Sequence, residues 1–136
     1  TYNKPLAAIV KLISLKEFQE LQVLDFIDRL HEAENKKLII NGKNFAIKDF
    51  VTTKFGRALI LDQSVNRPNN VSTNFKTALD NFFADHPKVN KDPTTWKTNH
   101  VMYENTLLEY YRDARVQMTD NIKRFNNLKD KLYENN

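Results

Sequence analysis

Apolar residues recur along most of this chain at intervals of three and four, which is the spacing of a helix that buries one face. The clearest stripe is formed by Phe75, Ala78, Leu79, Phe82 and Phe83. Core packing explains this stripe better than a platform of rings for sugar stacking. We predict a mainly α protein with about six helices around a buried central helix. The helical stretches are residues 6–13, 14–33, 50–64, 72–83, 96–118 and 122–132.

Capping residues indicate where these helices begin. A side-chain oxygen placed just before a helical stretch satisfies backbone N–H groups of the first turn. The capping residues are Ser14 (in a box with Glu17), Asp49, Ser72, Asp92 (followed by Pro93) and Asp120 (after Thr119).

Residues 37–47 give the one clear β signal. Two short apolar runs, 38–40 and 45–47, flank Asn41-Gly42, which is the preferred pair for a type I′ turn. The sequence therefore predicts one small antiparallel hairpin, which must pack on helices because two strands alone are marginally stable. We favour a structural hairpin over a flap at the edge of a cleft.

The stretch 54–68 reads as a mostly apolar central helix that begins near Phe50 and stops before Pro68. Buried polar groups must be hydrogen-bonded or paired, so a buried carboxylate in this helix needs a partner. The helix carries Arg57, Asp62, Gln63 and Asn66 through its length.

Arg115 is the partner that we predict for Asp62. It follows Leu108 by seven residues and Tyr111 by four, so it lies on the same buried helix face. A planar guanidinium can bind a carboxylate bidentately. Either the two residues form a structural ion pair in the core, or the arginine also reaches a catalytic acid and sets its pKa.

Length and composition limit the possible classes of protein. At 136 residues the chain is predicted to be a single domain, and because it starts at Thr1 we expect a fragment or lobe of a longer protein. It has no cysteine, and its net charge of +4 is spread along the chain, which argues against a nucleic-acid partner. No apolar run is long enough to span a bilayer.

Few motifs suggest a metal site or a catalytic nucleophile. His31, His86 and His100 lack the spacing of metal ligands, no G-x-S-x-G motif is present, and two glycines cannot build a phosphate loop. We therefore expect no metal and no cofactor. Carboxylate chemistry and glycan recognition remain.

Several segments resemble one family. Residues 55–68 contain a glycine, an apolar run ending in Asp62 and then Val65-Asn66, and they are similar to the central helix of bacterial chitosanase-like proteins of the lysozyme superfamily. Residues 113–116 resemble a later helix of that family, whose arginine pairs with this aspartate and with the catalytic glutamate. Residues 18–22 and 118–120 resemble segments found before and after these. The resemblance implies a lysozyme-like helical lobe, in a family whose members often carry peptidoglycan-binding modules.

The chain departs from that family at the catalytic residues. The general-acid glutamate and the base aspartate of the family precede the matching segments, and no acid-bearing sheet follows Glu17, Glu20, Glu32 or Glu34. Inverting hydrolysis needs two carboxyl groups on opposite sides of the sugar. The resemblance therefore implies the C-terminal helical lobe only, which is an enzyme only when upstream residues supply the acid and the base.

The resemblance also implies a function, namely a glycan-acting lobe of a chitosanase- or lysozyme-like glycoside hydrolase. Its substrate would be the polysaccharide peptidoglycan or a related amino-sugar polymer such as chitosan, and its other partner would be the missing N-terminal lobe. Asp62 and Arg115 would support the upstream acid/base pair, while Arg57, Asn66 and Arg67 would bind the substrate. The protein would be secreted or held in the bacterial cell envelope.

The residues leave a second class open. A non-catalytic helical binding or assembly module, such as a cell-wall binder or a phage or secretion structural protein, has the same sequence pattern. In such a module the stripe of Phe125, Leu128 and Leu132 in the last helix could be shared between chains. The sequence does not determine the oligomeric state.

Overall fold

The computed structural model describes residues 23–133, and this part of the chain is mainly helical. Six helices and one two-stranded hairpin form its regular structure, which confirms the predicted fold class. Short 3₁₀ turns lie at Pro68–Asn70, Pro93–Thr95 and Lys97–Asn99. The elements are α1 (Val23–Glu34), β1 (Lys37–Ile40), β2 (Lys43–Ala46), α2 (Ile47–Phe50), α3 (Lys54–Asn66), α4 (Val71–Asp85), α5 (His100–Ala114) and α6 (Asn121–Leu132).

Some sequence predictions fall outside the described residues. These are the helix at 6–13, the capping box of Ser14 and Glu17, and the segment 18–22 of the family resemblance. The remainder of the predicted second helix corresponds to α1, which ends at Glu34.

Helix α3 is the central helix. Its buried residues point in every direction around the helix axis, so little of its surface faces water. Helices α1, α4, α5 and α6 all contact it. A helix that is apolar on all sides is stable only when other elements surround it. The packing of the domain is therefore organised around α3.

Helices α4 and α5 pack beside α3 as a pair with an aromatic interface. The ring of Phe75 lies 5.6 Å from that of Tyr111, and the ring of Phe82 lies 5.8 Å from that of Tyr110. The whole apolar stripe of α4 is buried. The core interpretation of this stripe is therefore confirmed.

The hairpin has the predicted turn. Asn41 and Gly42 both have positive φ angles, 53° and 76°, as a type I′ turn requires, and Ile40 pairs with Lys43 on either side. Leu38 and Ile40 point into the core. The hairpin therefore covers one edge of the helical core.

The predicted start of the central helix was wrong by four residues. Asp49 caps a separate one-turn helix, α2, because its Oδ2 accepts a hydrogen bond from Ala46 N at 2.7 Å. Helix α3 begins at Lys54, and its cap is Thr53, whose Oγ1 accepts from Gly56 N at 3.0 Å. Hydrogen bonds to Glu104 of α5 hold Thr53 in place. Because Glu104 is distant in the sequence, the local sequence alone does not show which residue caps α3.

Two other predicted helix starts were also wrong. Helix α4 begins at Val71, so Ser72 lies inside its first turn rather than at its cap. Asp92 does accept from Thr94 N at 3.0 Å, but it caps a 3₁₀ turn. Lys97 then adopts a left-handed conformation with φ 50°, so α5 begins only at His100 instead of near Trp96.

The last helix uses most of its apolar stripe inside the molecule. Phe125 and Leu128 are buried, whereas Ile122 is 54% exposed although the pattern placed it in the stripe. Met118 is buried but lies in the loop between α5 and α6, since α5 ends at Ala114. Leu132 is partly buried against the same core, so all three residues of the stripe Phe125, Leu128 and Leu132 pack within this chain.

Candidate functional site

Asp62 lies in the last part of α3, where the helix is fully enclosed. Its side chain is 2% exposed, and Arg115, directly after the end of α5, is completely buried. Arg115 Nη2 lies 3.3 Å from Asp62 Oδ2. The contact predicted between these two residues is therefore present, although 53 positions separate them in the sequence.

A second guanidinium, that of Arg124 in α6, binds the same carboxylate. Its Nε donates to Asp62 Oδ1 at 3.1 Å and to Oδ2 at 3.2 Å, and its Nη2 also donates to Oδ1. Asn66 Nδ2, one turn further along α3, lies 3.3 Å from Oδ1 and donates to the Asp62 carbonyl at 2.9 Å. The lone pairs of the Asp62 carboxylate are thus used within the protein.

Arg115 also donates hydrogen bonds to two other groups, one in α3 and one in α6. Its Nη1 donates to the Leu59 carbonyl of α3 at 3.2 Å, and its Nε donates to Asn121 Oδ1 of α6 at 2.9 Å. Asn121 Nδ2 in turn donates to the Arg112 carbonyl of α5 at 2.6 Å. The buried network therefore fixes the end of α5 against both α3 and α6.

A chain of neutral polar groups lies beside this network. The Tyr111 hydroxyl donates to Gln63 Oε1, and Gln63 Nε2 donates to Asn74 Oδ1 at 2.5 Å. Burial raises the pKa of Tyr111 well above its ordinary value of 10.0, although the charge of Arg115 acts in the opposite direction. The phenol therefore remains a neutral donor that links α5 through α3 to α4.

Of the three residues predicted to bind substrate, the structure brings two together. Arg67 Nε donates to the Gln117 carbonyl at 3.3 Å, and its Nη1 donates to the carbonyl of the adjacent Asn66 at 3.2 Å. Arg57 lies about 14 Å back along the α3 axis, at 1.5 Å per residue. It binds both carboxylate oxygens of Glu34 in α1, at 2.7 and 3.2 Å.

Sequence reasoning missed Arg124 and Asn121, although a signal for both exists. Positions 121, 124, 125 and 128 have the i, i+3, i+4, i+7 spacing of one helix face, so the two polar residues share the face of the buried Phe125 and Leu128. A polar residue on the buried face of a helix needs a buried partner. Asp62 is that partner for Arg124.

Glu104 of α5 is a second buried carboxylate that the sequence reasoning missed. It is fully buried and accepts bonds from the backbone N–H and the hydroxyl of Thr52, at 2.9 and 2.8 Å, and of Thr53, at 2.9 and 2.7 Å. Burial tends to raise the pKa of Glu104, but hydrogen bonds from His100, Thr53 and Thr52 outweigh it and hold the pKa below its ordinary value. The burial of Glu104 could have been inferred from its spacing, because Leu107, Leu108 and Tyr111 follow it at i+3, i+4 and i+7 on one helix face.

A shallow depression of about 490 Å³ lies between the outer face of α4 and the end of α5. This volume falls within the range of small-molecule sites. Tyr110 closes one side of it, and its hydroxyl donates to Asp85 Oδ2 at 2.6 Å. The depression is lined by the polar residues Thr77, Asn81, Asp85, Tyr110 and Asp113 and by the apolar residues Ala84, Ala114 and Val116.

The buried network and the depression are joined through one segment. Arg115 points into the core, while its neighbours Asp113, Ala114 and Val116 line the depression. Gln117, which binds Arg67, comes next in the chain. The Asp62–Arg115–Arg124 network therefore determines the position of one wall of the depression.

Comparisons of the chain with protein-family models, with curated proteins and with solved structures found no match. Within residues 23–133, no group of three or more His, Asp or Glu side chains is placed to hold a metal ion. None of the helices in that range has the length and apolar character needed to cross a membrane. The fold and the site define a mainly α protein built around a buried Asp–Arg–Arg network.

Proposed function

We propose that the chain is the helical, glycan-binding lobe of a chitosanase- or lysozyme-like glycoside hydrolase. The observation that carries the proposal is the buried Asp62–Arg115 contact, because it joins the two segments whose sequences resemble that family. Peptidoglycan or a related amino-sugar polymer is the proposed ligand. Such polymers lie outside the bacterial cytoplasm, so the proposal implies a secreted or cell-envelope protein.

The depression between α4 and α5 suits a sugar chain. Sugar rings present hydroxyls at their edges and C–H groups on their faces, and sites for such ligands combine apolar surface with a few directed polar groups. The amide of Asn81 and the carboxylate of Asp113 offer donors and acceptors, and the 78% exposed Val116 offers apolar contact. In this proposal Asp62 and Arg115 act indirectly, because they hold the wall that carries Asp113 and Val116.

Hydrolysis is assigned to residues that a completing lobe would supply. Glycoside hydrolysis needs two carboxyl groups that flank the scissile bond. The Asp62 carboxylate is bound by Arg115 and Arg124 and is buried, so it is unsuited to act as acid, base or nucleophile. We expect the present chain to bind the polymer and the completed protein to cleave it.

Cosedimentation with insoluble peptidoglycan and, separately, with insoluble chitosan tests the proposal. The chain should be retained on at least one polymer. Asn81→Ala and Asp113→Asn should each reduce retention several-fold, because both side chains are exposed at the depression and their replacement leaves the core intact.

Matched controls are available on another exposed surface. Asn126→Ala and Asp130→Asn make the same chemical changes on the exposed face of α6 and should leave retention unchanged. Absence of retention on both polymers would contradict the proposal, and so would an equal loss in the α6 controls.

A further inference from the structure

A second depression, which we call the hairpin depression, lies between the turn of the hairpin and α4. Its volume is about 290 Å³, near the lower limit of small-molecule sites. Residues 39–41 of the hairpin, four residues of α4 and Lys91 line it. Ala84 of α4 lines both this depression and the one between α4 and α5. The two depressions are therefore neighbours on one helix, and a single extended ligand can occupy both.

The two depressions differ in charge. The depression between α4 and α5 is lined by the carboxylates of Asp85 and Asp113 and by no basic side chain. The hairpin depression is lined by two lysines, Lys76 and Lys91, and by one carboxylate, that of Asp80. An anionic group of a ligand therefore finds its cationic partners in the hairpin depression.

Lys91 is held in position by the backbone on both sides of it. The Asn90 carbonyl accepts from Trp96 Nε1 at 2.7 Å, and Asp92 N donates to Asn90 Oδ1 at 2.8 Å. Lys91 Nζ lies 6.0 Å from the centre of the Phe83 ring, and no carboxylate within residues 23–133 lies at ion-pair distance from it. An ammonium group has three N–H donors. Lys91 can therefore bind an anion without losing an ion pair.

Lys76 has only a weak partner. Its Nζ lies 2.6 Å from Asp80 Oδ1, and the two side chains are 39% and 61% exposed. Exposed ion pairs at this helical spacing contribute little to stability. Lys76 can therefore exchange Asp80 for the carboxylate of a ligand. The exposed Ile39 and the ring of Phe83 offer apolar contact to the groups beside such a carboxylate.

The fold concentrates positive charge around the hairpin depression. Residues 36–50 and the connector between α4 and α5, residues 86–99, together contain seven lysines and two aspartates. These segments are distant in sequence, but Lys43 Nζ lies 3.2 Å from Asp92 Oδ2 and the ring of Phe50 lies 5.7 Å from that of Trp96. A surface with such a charge excess attracts anions and repels cations.

We propose that the hairpin depression binds a carboxylate group of the same ligand whose sugar rings occupy the depression between α4 and α5. This inference rests on the proposed function and selects between its ligands. Peptidoglycan carries carboxylate groups, whereas chitosan carries ammonium groups that the lysines repel. Lys91 is the main contact of the carboxylate, and Lys76 is the second. The chain should therefore prefer peptidoglycan to chitosan.

Cosedimentation with native peptidoglycan, and with peptidoglycan whose carboxylates have been converted to amides, tests this inference. Retention of the wild-type chain should fall several-fold on the amidated polymer. The double variant Lys76→Gln/Lys91→Gln should bind native peptidoglycan several-fold less than the wild type and should not distinguish the two polymers. The control Lys123→Gln/Lys131→Gln removes the same charge from exposed positions of α6 and should behave as the wild type.

The carboxylate can come from the sugar or from the attached peptide, and NMR titration separates these sources. The free peptide should shift the amides of residues 39–41 and 91 if it supplies the carboxylate. Peptide-free glycan strands should shift them if the sugar supplies it. No shift at these residues with either probe would contradict the inference.

The sedimentation results separate this inference from the proposed function. Equal wild-type retention on native and amidated peptidoglycan, an equal loss in the α6 control, or retention on chitosan alone would contradict the role of the hairpin depression. Each of these results would leave the glycan-binding function standing. Absence of retention on all of the polymers would contradict both.

Discussion

Asp62 shows how a single buried charge can organise contacts that are distant in sequence. Its carboxylate receives guanidinium groups from the end of α5 and from α6, and both cations lack full access to water. Burial of charges is costly unless they are paired, and removal of one partner leaves the others without compensation. The contribution of Asp62 to stability therefore depends on both arginines.

Asp62→Asn should lower the free energy of unfolding by about 3–5 kcal/mol, because it leaves two guanidiniums without their counter-charge at almost unchanged side-chain volume. Urea denaturation monitored by circular dichroism measures this loss. Asp113→Asn, the same substitution at an exposed position, should change stability by less than about 1 kcal/mol. Equal effects of the two substitutions would show that the network does not stabilise the fold.

Ionisation of Glu104 should make a large contribution to the loss of folding stability as the pH falls. Its pKa is lowered in the folded state, so the ionised carboxylate contributes stability above its ordinary value of 4.5, and this contribution is lost as the pH falls through the lowered value. Unfolding measured from about pH 6 to about pH 3 should therefore be less pH-dependent in Glu104→Gln than in the wild type. Glu109→Gln, on the exposed face of the same helix, should keep the wild-type slope; identical slopes for all three proteins would contradict this assignment.

At the residue scale, the sequence predicted one partner of Asp62 and missed the other. Arg115 follows two apolar residues of its helix at core spacing, so its burial could be inferred. Arg124 shares a helix face with the buried Phe125 and Leu128, but its helix is rich in lysine and asparagine, so the signal in its spacing is easily overlooked. Only the approach of α6 to α3 shows which side chain faces the carboxylate.

At the scale of elements, the close packing of α3 depends on Gly56. A Cβ atom at this position would lie 2.7 Å from Glu104 Oε2 and 2.7 Å from Val51 Cγ1. Four hydrogen bonds from Thr52 and Thr53 hold the Glu104 carboxylate in place, so it cannot easily move away. The glycine thus allows the first turn of the central helix to contact α5 directly.

Gly56→Ala should therefore destabilise the protein by about 1–3 kcal/mol, even though alanine favours the helix by about 1 kcal/mol. Chemical denaturation measures this effect. Adding Val51→Ala removes one of the two clashing atoms, so the double variant should lose less than the sum of the single losses. A Gly56→Ala variant as stable as the wild type would contradict the packing described for α3.

Most elements could be predicted from the sequence because their signals are local. The hairpin follows from Asn41-Gly42 between two apolar runs, and the stripe of α4 follows from its spacing. Helix starts were predicted less well, because Asp49, Thr52 and Thr53 are all chemically able to cap. The choice of Thr53 depends on Glu104, a residue 51 positions away, and is not visible in the local pattern.

At the scale of the whole molecule, the candidate binding surface depends on how three helices meet. Residues of α4, of the end of α5 and Val116 of the segment that follows line the depression, while Arg115 between them donates to the Leu59 carbonyl of α3. The sequence indicates the chemistry of Asn81, Tyr110 and Asp113 but not their common location. Asn66 and Arg67 could be selected from the sequence resemblance, and Arg67 lies next to the segment that lines the depression.

The most direct test of the central claim is an NMR titration of the ¹⁵N-labelled chain with a soluble oligosaccharide fragment of peptidoglycan or of chitosan. Saturable shifts of amide resonances report both binding and location. The proposed function predicts that at least one of the two sugars shifts amides of residues 77–85 and 110–117. Absence of saturable shifts at millimolar concentrations of either sugar, or shifts confined to surfaces away from α4 and the end of α5, would contradict the glycan-binding role.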